Sequence, residues 1–313
     1  MQIISSLQNI ALSPSVATIG FFDGVHLGHH HIIQQVITNA EENGLKSTII
    51  TFADHPSAVI HQKKIKLLTP LEEKLKRLAK EGIDQCVVLP FTESLSKLSA
   101  YDFMSQILKE KLNIHSLFIG YDNRFGKRKD KTEGFREYVS YGEDIGIKVF
   151  NTNAYFLQEE EISSSLIRKV IKEKNVSLAN DLLGYTYALE GRVVDGKKIG
   201  RLLGYPTANI EPIHKNKLIP ADGVYIVSVL LNNSLHKGML SIGCRPTMKN
   251  GKNKSIEVHI LDFNECIYGQ SLELQFHYYL REEIAFENKD ALIEQLKIDE
   301  VDTRHYFKTT QTL

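Results

Sequence analysis

The sequence lacks a net charge, a long apolar run and an export signal. Thirty-eight basic residues balance thirty-eight acidic ones, so no overall field attracts nucleic acid or an anionic membrane, and any anion site must be built locally. No apolar stretch approaches the roughly 18 residues that a membrane-spanning helix needs, and no basic segment precedes an apolar one at the N-terminus. We therefore expect a cytoplasmic protein that acts on small molecules, with no nucleic acid, membrane or obligate protein partner.

Cysteine is scarce as well. The chain has three cysteines, Cys86, Cys244 and Cys266, which form an odd and scattered set without C-x-x-C spacing. Disulfide-rich secreted domains carry even sets of cysteines, and zinc sites use closely paired ligands. The cysteines therefore indicate neither a disulfide framework nor a zinc site, which fits a reducing compartment.

The hydrophobic pattern changes part of the way along the chain. In the first half, short β-branched runs such as "VATIGFF" and "KSTIITF" alternate with helical patterns, which predicts an α/β domain with a parallel sheet. Segments with period-two alternation follow, broken by Gly, Asn and Asp; in "SLELQFHYYL" four apolar residues share one face. This second pattern predicts an antiparallel sheet or small β-barrel, and a terminal helical segment follows it. We expect two domains, 1–184 and 185–313, with a single large α/β domain as the alternative.

A histidine-rich turn follows the first predicted strand. In "ATIGFFDGVHLGHHHII", Asp23, Gly24 and Gly28 occupy the turn, and a helix is predicted to begin near His29. Turns at the end of a parallel strand face the usual ligand crevice, and the backbone N–H groups at a helix start favour phosphate. His26 and His29 can donate hydrogen bonds to phosphate oxygens there. The spacing is not that of a Walker loop or of G-x-G-x-x-G, and a merely polar, solvated helix start is the alternative.

A second candidate anion site lies in "EISSSLIRKVI". Ser163, Ser164 and Ser165 are N-cap candidates that leave backbone amide donors for an anion, and Arg168 follows within the predicted helix. An ordinary capped helix with a surface arginine would have the same sequence. His30 and His31, in contrast, are expected to be helix-face residues without a metal.

Several motifs occur together and in order. H-x-G-H after an F-D-G turn, with the later S-S-S-L-I-R, resembles the nucleotidylyltransferase superfamily, whose domains are Rossmann-like. "TFADHP" and "FIGYDNRFGKRKDKTEG" resemble the flavin-adenylylating branch of that superfamily. "GRVVDGKKIGRLLGYPTANI" in the second half resembles a riboflavin kinase, with its P-T-A-N signature, and riboflavin kinases have an antiparallel β-barrel. Nearly the whole chain is thus similar to the bacterial bifunctional riboflavin kinase/FMN adenylyltransferases, also called FAD synthetases.

The resemblance implies that the first domain transfers the adenylyl group of ATP to FMN. His26, His29 and Arg168 would hold the triphosphate while the FMN phosphate attacks the α-phosphorus and pyrophosphate leaves. Asp122 and Arg124 would lie on the FMN side. The residues implied to contact ATP are Phe22, Asp23, Gly24, His26, Gly28, His29, Ser163, Ser164, Ser165 and Arg168.

The second domain would then transfer the γ-phosphoryl group of ATP to riboflavin. Glu257 would be the general base for the riboflavin 5′-hydroxyl, and Thr207 and Asn209 would supply oxygens near Mg²⁺. Arg281 and Glu283 would lie on the flavin side. The residues implied to bind this ATP are Gly191, Gly196, Lys198, Gly200, Pro206, Thr207 and Asn209, with the four from Gly191 to Gly200 in one flexible turn.

Plainer interpretations of the second half remain open. The P-T-A-N segment can be a simple turn entering a strand, Glu257 an exposed strand residue, and "DGKKIG" a hairpin. Two other functions also remain open: a related transferase with another acceptor, such as a cytidylyltransferase with an unrelated β-domain, and a non-catalytic flavin-binding protein.

Overall fold

The computed structural model describes residues 1–6, 12–61, 65–120, 124–127, 133–196, 199–244 and 254–310. The chain forms two compact units, Met1–Ser164 and Ser165–Leu313. Within the described ranges, no helix combines the length and the apolar character that crossing a membrane requires.

The first unit contains a six-stranded sheet in which all neighbouring strands are parallel. The strand Ser15–Ile19 is buried along its whole length, as expected for a strand covered on both faces. The predicted parallel α/β architecture is therefore confirmed. The strands are β1 (Gln2–Ile4), β2 (Ser15–Ile19), β3 (Lys46–Phe52), β4 (Gln85–Leu89), β5 (Ile114–Gly120) and β6 (Lys148–Thr152).

Helices cover this sheet on both faces. Alternate strand residues belong to different core clusters: Ile49 packs with Ile33 and Leu78 of two helices, whereas Ile50 packs with Met104 and Tyr138 of two others. The helices are α1 (Leu27–Glu42), α2 (Pro56–His61), α3 (Leu71–Ala79), α4 (Glu93–Lys97), α5 (Ala100–Asp102), a π-helix (Phe103–Lys111) and α6 (Phe135–Ile145), and a short hairpin pairs β7 (Phe156–Leu157) with β8 (Glu160–Glu161).

Strand order fixes where a ligand crevice forms. The order is β1-β4-β3-β2-β5-β6, so the chain leaves β2 towards β3 and β4 on one side and later returns to place β5 and β6 on the other. In open parallel sheets, the crevice lies at the carboxyl ends of the strands where the order reverses. The histidine-rich turn after β2 is at this point.

The second unit contains a closed antiparallel barrel with the strand order β10-β13-β12-β11-β14-β9, which confirms the barrel that the period-two segments predicted. Closure pairs β10 with β9, so none of the barrel strands that the structure describes is an edge strand. The elements are α7 (Ser164–Lys172), α8 (Val176–Leu183), β9 (Ala188–Val194), α9 (Ile199–Leu202), β10 (Ala208–Pro212), β11 (Gly223–Leu231), β12 (Ser234–Cys244), β13 (Lys254–Ile260), β14 (Ser271–Arg281) and α10 (Lys289–Thr310).

One part of the predicted alternation is wrong. Leu272, Leu274 and Phe276 are buried, as their period of two predicts, but Tyr278 is 48% exposed. The pairing of β14 with β11 shifts by one residue between Phe276 and Tyr278. Such a bulge moves the following residues to the opposite face, which explains the exposure of Tyr278.

Helix α8 packs with the barrel. Ser177 Oγ donates to the His277 carbonyl at 3.0 Å, and Asn180 Nδ2 donates to the Phe276 carbonyl at 2.8 Å. These bonds satisfy carbonyl groups at the bulge in β14. Helix α8 therefore lies in the second unit, which begins at Ser165. The domain boundary between residues 184 and 185 stays a prediction.

Candidate functional sites

The turn that links β2 to α1, residues 20–26, has an unusual backbone. Phe22 has φ 56°, Gly24 φ 88° and Val25 φ 40°. Left-handed conformations are rare for aromatic and β-branched residues and cost of order 1–3 kcal/mol each, so surrounding contacts must hold them. Backbone strain of this kind concentrates at functional sites.

Asp23 supplies some of those contacts. Its carboxylate is buried and accepts hydrogen bonds from the backbone N–H groups of Leu68 and Thr69 at 3.0 and 2.9 Å. Thr69 Oγ1 in turn accepts from the Gly24 N–H at 2.8 Å. Asp23 therefore links the turn to the segment that precedes α3.

His26 and His29 form a reciprocal pair at the start of α1. His26 is the N-cap: its Nδ1 accepts from the His29 N–H, and His29 Nδ1 accepts from the His26 N–H, both at 3.3 Å. The two rings are stacked with centroids 3.6 Å apart. The helix thus begins at Leu27, two residues before the predicted start, because an imidazole acts as the cap.

This pairing fixes how the rings can act. Because both Nδ1 atoms accept hydrogen bonds, each neutral ring carries its proton on Nε2. Burial, followed by the charges of His26 and Lys74, holds the pKa of His29 well below its ordinary value. His29 is therefore a neutral Nε2–H donor at neutral pH, suited to an anionic oxygen.

Gly28 and the serine segment complete this arrangement in the first unit. A Cβ on Gly28 would lie 3.2 Å from the His26 ring and 3.5 Å from the Ile162 carbonyl oxygen, so a side chain there would press on the ring. Ser164 Oγ donates to the Asp23 carbonyl at 2.8 Å. The structure therefore brings Ser164 to the β2–α1 turn.

The other predicted residues of the first site differ in their exposure and their position in the chain. Ser163 is half-buried, Ser165 is exposed, and Arg168 is half-buried on α7, which continues into the second unit. Arg124 is exposed in the described stretch 124–127, and Asp122 lies outside the described residues.

The other two histidines of this segment, His30 and His31, lie on α1 and contact side chains of nearby residues. His30 Nδ1 lies 2.6 Å from Glu81 and His31 Nε2 lies 2.9 Å from Gln35. In the described parts of the chain, no group of three metal-binding side chains occurs.

Two residues near this turn were missed by the sequence-based prediction. His55 lies in "TFADHP", and its ring meets the edge of Phe21 at a centroid distance of 4.6 Å. Lys74 of α3 is only 1% exposed. Its position four residues before the buried Leu78 was an available signal, because a residue on that helical face is expected to be apolar.

The second unit has a cavity of about 400 Å³, hereafter the barrel cavity. Apolar side chains from the barrel and from α10 form much of its wall, and carboxylates and hydroxyls project into it. Concave, mainly apolar sites with a few convergent polar groups are typical of small-molecule binding. Its lining includes Thr207, Leu240, Ser241, Ser255, Glu257, Arg281, Glu283, Phe286, Leu292, Leu296 and Asp299.

Glu257 lines the barrel cavity, and two neighbouring hydroxyls hold its carboxylate. Its Oε2 accepts from Thr207 Oγ1 at 3.3 Å and its Oε1 accepts from Ser255 Oγ at 3.1 Å. Asn209 is opposite Glu257 in the pairing of β10 with β13. The structure therefore brings the predicted base into contact with Thr207 and pairs its residue with Asn209 on the neighbouring strand.

Glycine is required beside these groups. A Cβ on Gly196 would overlap the Asn209 side-chain amide, and one on Gly200 would overlap the Tyr205 carbonyl oxygen, next to Thr207 Oγ1. Gly191, in contrast, lies inside β9, where a side chain would overlap Ile210. The expected single turn over residues 191–200 is therefore wrong: it is divided between β9, the segment before α9, and α9, and Lys198 lies outside the described residues.

The two predicted flavin-side residues differ in their surroundings. Arg281 forms a two-pronged ion pair with the buried Asp299 of α10, with N–O distances of 2.8 and 2.6 Å. Glu283 is exposed, accepts from Ser241 Oγ at 3.2 Å, and leaves no space for a side chain on Gly243. Arg281 thus joins α10 to the barrel, and Glu283 presents a carboxylate to the cavity.

An open depression of about 530 Å³ shares Tyr205 and His259 with the barrel cavity. His259 Nδ1 donates to the Pro206 carbonyl oxygen at 2.8 Å. The depression is also lined by Phe263 and by Arg304, which pairs with Asp262. Pro206, predicted to contact ATP, is therefore at a second concave surface.

The two units match two protein-family models. Residues 8–166 match the model described as FAD synthetase, and residues 183–307 match the model described as riboflavin kinase. A parallel-sheet unit of the nucleotidylyltransferase type followed by a riboflavin kinase barrel is the class of protein that fold and sites define.

Relatives match along nearly the whole chain. A protein of Listeria monocytogenes is 40% identical over 294 residues, covering 93% of this chain and 92% of its own, and one of Bacillus subtilis is 35% identical over 299 residues, covering 94% and 92%. Both are named bifunctional riboflavin kinase/FMN adenylyltransferase. A Streptococcus pneumoniae crystal structure described as a macrolide-efflux protein superposes with a TM-score of 0.87 at 29% identity, covering 96% of this chain and 98% of its own. The chain belongs to the family of bifunctional riboflavin kinase/FMN adenylyltransferases, which confirms the resemblance in its motifs.

Proposed function

We propose that this protein makes FAD from riboflavin in two ATP-dependent steps. The second unit phosphorylates riboflavin to FMN, and the first transfers the adenylyl group of a second ATP to FMN. The observation that carries the proposal is Glu257, held by Thr207 and Ser255 at the wall of a cavity large enough for a small molecule. The match to a riboflavin kinase model over 183–307 favours this over an unrelated β-domain.

In the kinase step, Glu257 accepts the proton of the riboflavin 5′-hydroxyl as that oxygen attacks the γ-phosphorus of ATP and ADP leaves. The hydroxyls of Thr207 and Ser255 donate to the carboxylate and fix its direction. Riboflavin occupies the apolar barrel cavity beside Arg281 and Glu283, and the nucleotide extends over Pro206 into the open depression. In this proposal both reactants lie beside Glu257, whose side chain lines the barrel cavity.

Mg²⁺ fits the donors near Glu257. Thr207 supplies a hydroxyl oxygen and Asn209 an amide oxygen, and hard cations that bind ATP use few protein ligands because phosphates and water supply the rest. We assign Thr207 and Asn209 as the residues that would hold the ion, whose charge would offset that of the phosphates. Gly196 gives the Asn209 amide its space.

In the adenylyl-transfer step, the first unit acts by positioning and charge stabilisation. The Nε2–H groups of His26 and His29 donate to the triphosphate, and the sequence motif assigns Arg168 to the phosphates that leave as pyrophosphate. The FMN phosphate attacks the α-phosphorus, with Arg124 and Asp122 on its side. The strained β2–α1 turn and the fixed tautomers of the two rings support these roles.

The two activities are proposed to divide after residue 184, with adenylyl transfer in 1–184 and kinase activity in 185–313. The protein is proposed to act in the cytoplasm. This division gives α7, and with it Arg168, to the adenylyltransferase. The test is a time course with purified protein, riboflavin, ATP and Mg²⁺, in which flavins are separated by chromatography. FMN followed by FAD is expected. Formation of FMN without FAD would exclude adenylyltransferase activity. If neither product forms from riboflavin, and no FAD forms from supplied FMN, a flavin-binding protein would be favoured.

A further inference from the structure

The first unit contains a buried ammonium group with a complete set of partners. Lys74 is 1% exposed, and its Nζ donates to the Phe21 carbonyl at 2.9 Å, the Phe52 carbonyl at 3.0 Å and Thr51 Oγ1 at 3.1 Å. A lysine has three N–H donors. All three are therefore used within hydrogen-bond distance.

The partners of Lys74 lie at the carboxyl ends of two adjacent strands. Phe21 is in the β2–α1 turn that leads to the histidine pair, and Thr51 and Phe52 are the last residues of β3. Thr51 Oγ1 also donates to the Phe21 carbonyl at 3.1 Å. One ammonium group and one hydroxyl thus tie together the ends of the strands that border the proposed ATP site.

Lys74 also contacts the Phe21 ring, which in turn contacts His55. Its Nζ lies 3.9 Å from the centroid of the Phe21 ring, and the same ring meets His55. A cation over an aromatic face is attracted by the ring, more strongly where water is excluded. Lys74 therefore fixes Phe21 through both its carbonyl and its ring.

Burying an ammonium group destabilises a fold unless its partners compensate. Burial lowers the pKa of Lys74 to about 8, and the negative charge of Asp23 acts in the opposite direction. The same positive charge contributes to the low pKa of His29. An apolar side chain would fill the space without this cost, but it could neither bind the strand ends nor act on His29.

We propose that Lys74 is a positioning residue for adenylyl transfer, which holds the ends of β2 and β3 so that His26 and His29 meet the triphosphate in reactive geometry. The role rests on the proposed adenylyltransferase function of the first unit. Lys74 acts through these neighbours and does not contact the substrate. Misplacement of reacting groups by about 1 Å costs on the order of a hundredfold in rate.

The test compares Lys74→Met with Lys76→Met in the full-length protein. Lys76 is exposed on the same helix, so it controls for the substitution itself. We expect Lys74→Met to lower kcat for FMN adenylylation by at least tenfold, and on the order of a hundredfold, with a smaller change in KM for ATP. Riboflavin kinase activity of the same preparation should be unchanged, and circular dichroism with denaturant unfolding reports whether the first unit is folded. NMR titration should show a higher pKa for the His29 imidazole in Lys74→Met alone.

Thr51→Val serves as a second variant, because it keeps the shape of the side chain and removes one link; it should lower kcat at least threefold even if Lys74→Met does not fold. Unchanged kcat in a folded Lys74→Met protein, or in Thr51→Val, would overturn the role of Lys74. A wild-type chain that does not adenylylate FMN would overturn the proposed function, and the Lys74 role with it.

Discussion

Replacement of Glu257 by glutamine separates the chemistry of the barrel cavity from its packing. Glutamine has nearly the same shape but cannot accept the riboflavin proton, and a general base contributes typically 10²–10⁴-fold. The kinase kcat should therefore fall by about 10²–10⁴-fold, which corresponds to about 3–5 kcal/mol of transition-state stabilisation.

The stability cost should be much smaller. Thr207 and Ser255 donate to different oxygens of Glu257, and an amide offers one oxygen, so one hydrogen bond worth about 1 kcal/mol is lost. Ser255→Ala removes one of these hydrogen bonds and keeps the carboxylate, so it is the matched control: a similar stability loss with less than a tenfold rate loss.

The assay measures ADP release with riboflavin as acceptor, and, separately, FAD formation from supplied FMN. Adenylylation should be unaffected in Glu257→Gln. If this variant keeps a kinase rate within threefold of the wild type while it is folded, or if Ser255→Ala loses as much activity, the carboxylate is not the base.

Three further predictions concern the other contacts. His29→Ala should remove hydrogen bonds to charged phosphate worth roughly 1.5–3 kcal/mol and lower the rate of FAD formation tenfold to hundredfold, with kinase activity intact. The control is His30→Ala at an exposed position. An equal loss in both variants would contradict the role of His29 at the triphosphate. Asp299→Asn should lower the unfolding free energy by about 3–5 kcal/mol, because it leaves the guanidinium of Arg281 without its charged partner. Denaturant unfolding measures this loss, with Asp302→Asn at an exposed position as the control. Equal stabilities of the two variants would refute the prediction. The pKa of His29 is lowered in the folded state, so below about pH 6.5 the unfolded state binds a proton that the folded state does not. The free energy of unfolding should therefore fall as pH decreases from 7 to 5. His29→Gln should flatten this dependence of stability on pH, and an unchanged dependence would rule His29 out as its source.

The fold was predictable where local patterns have one physical meaning. Alternation of β-branched runs with helical segments indicates a parallel sheet, and period-two segments indicate an antiparallel one. Closure of the barrel through the pairing of β9 with β10 depends on contacts that no local pattern contains. The bulge that exposes Tyr278 likewise depends on the partner strand and on its links to α8.

The sites were predictable in their motifs and not in their connections. His26, His29 and Glu257 stood out through the resemblance, but the reciprocal capping of the two rings follows from backbone geometry. The hydrogen bond from Ser164 to Asp23 spans 141 positions. Lys74 resembles an ordinary helix lysine until its burial is known, because helix periodicity fixes a face and not what that face meets.

The most direct test of the two-step account follows labelled phosphate from ATP into flavin. In separate reactions with riboflavin, Mg²⁺ and either γ-³²P- or α-³²P-ATP, the account predicts γ-label in FMN and then in FAD, because the first ATP supplies the phosphate of FMN. The α-label should enter FAD and never FMN, because the second ATP supplies only its adenylyl group. Absence of γ-label from all flavins, or α-label in FMN, would contradict the account.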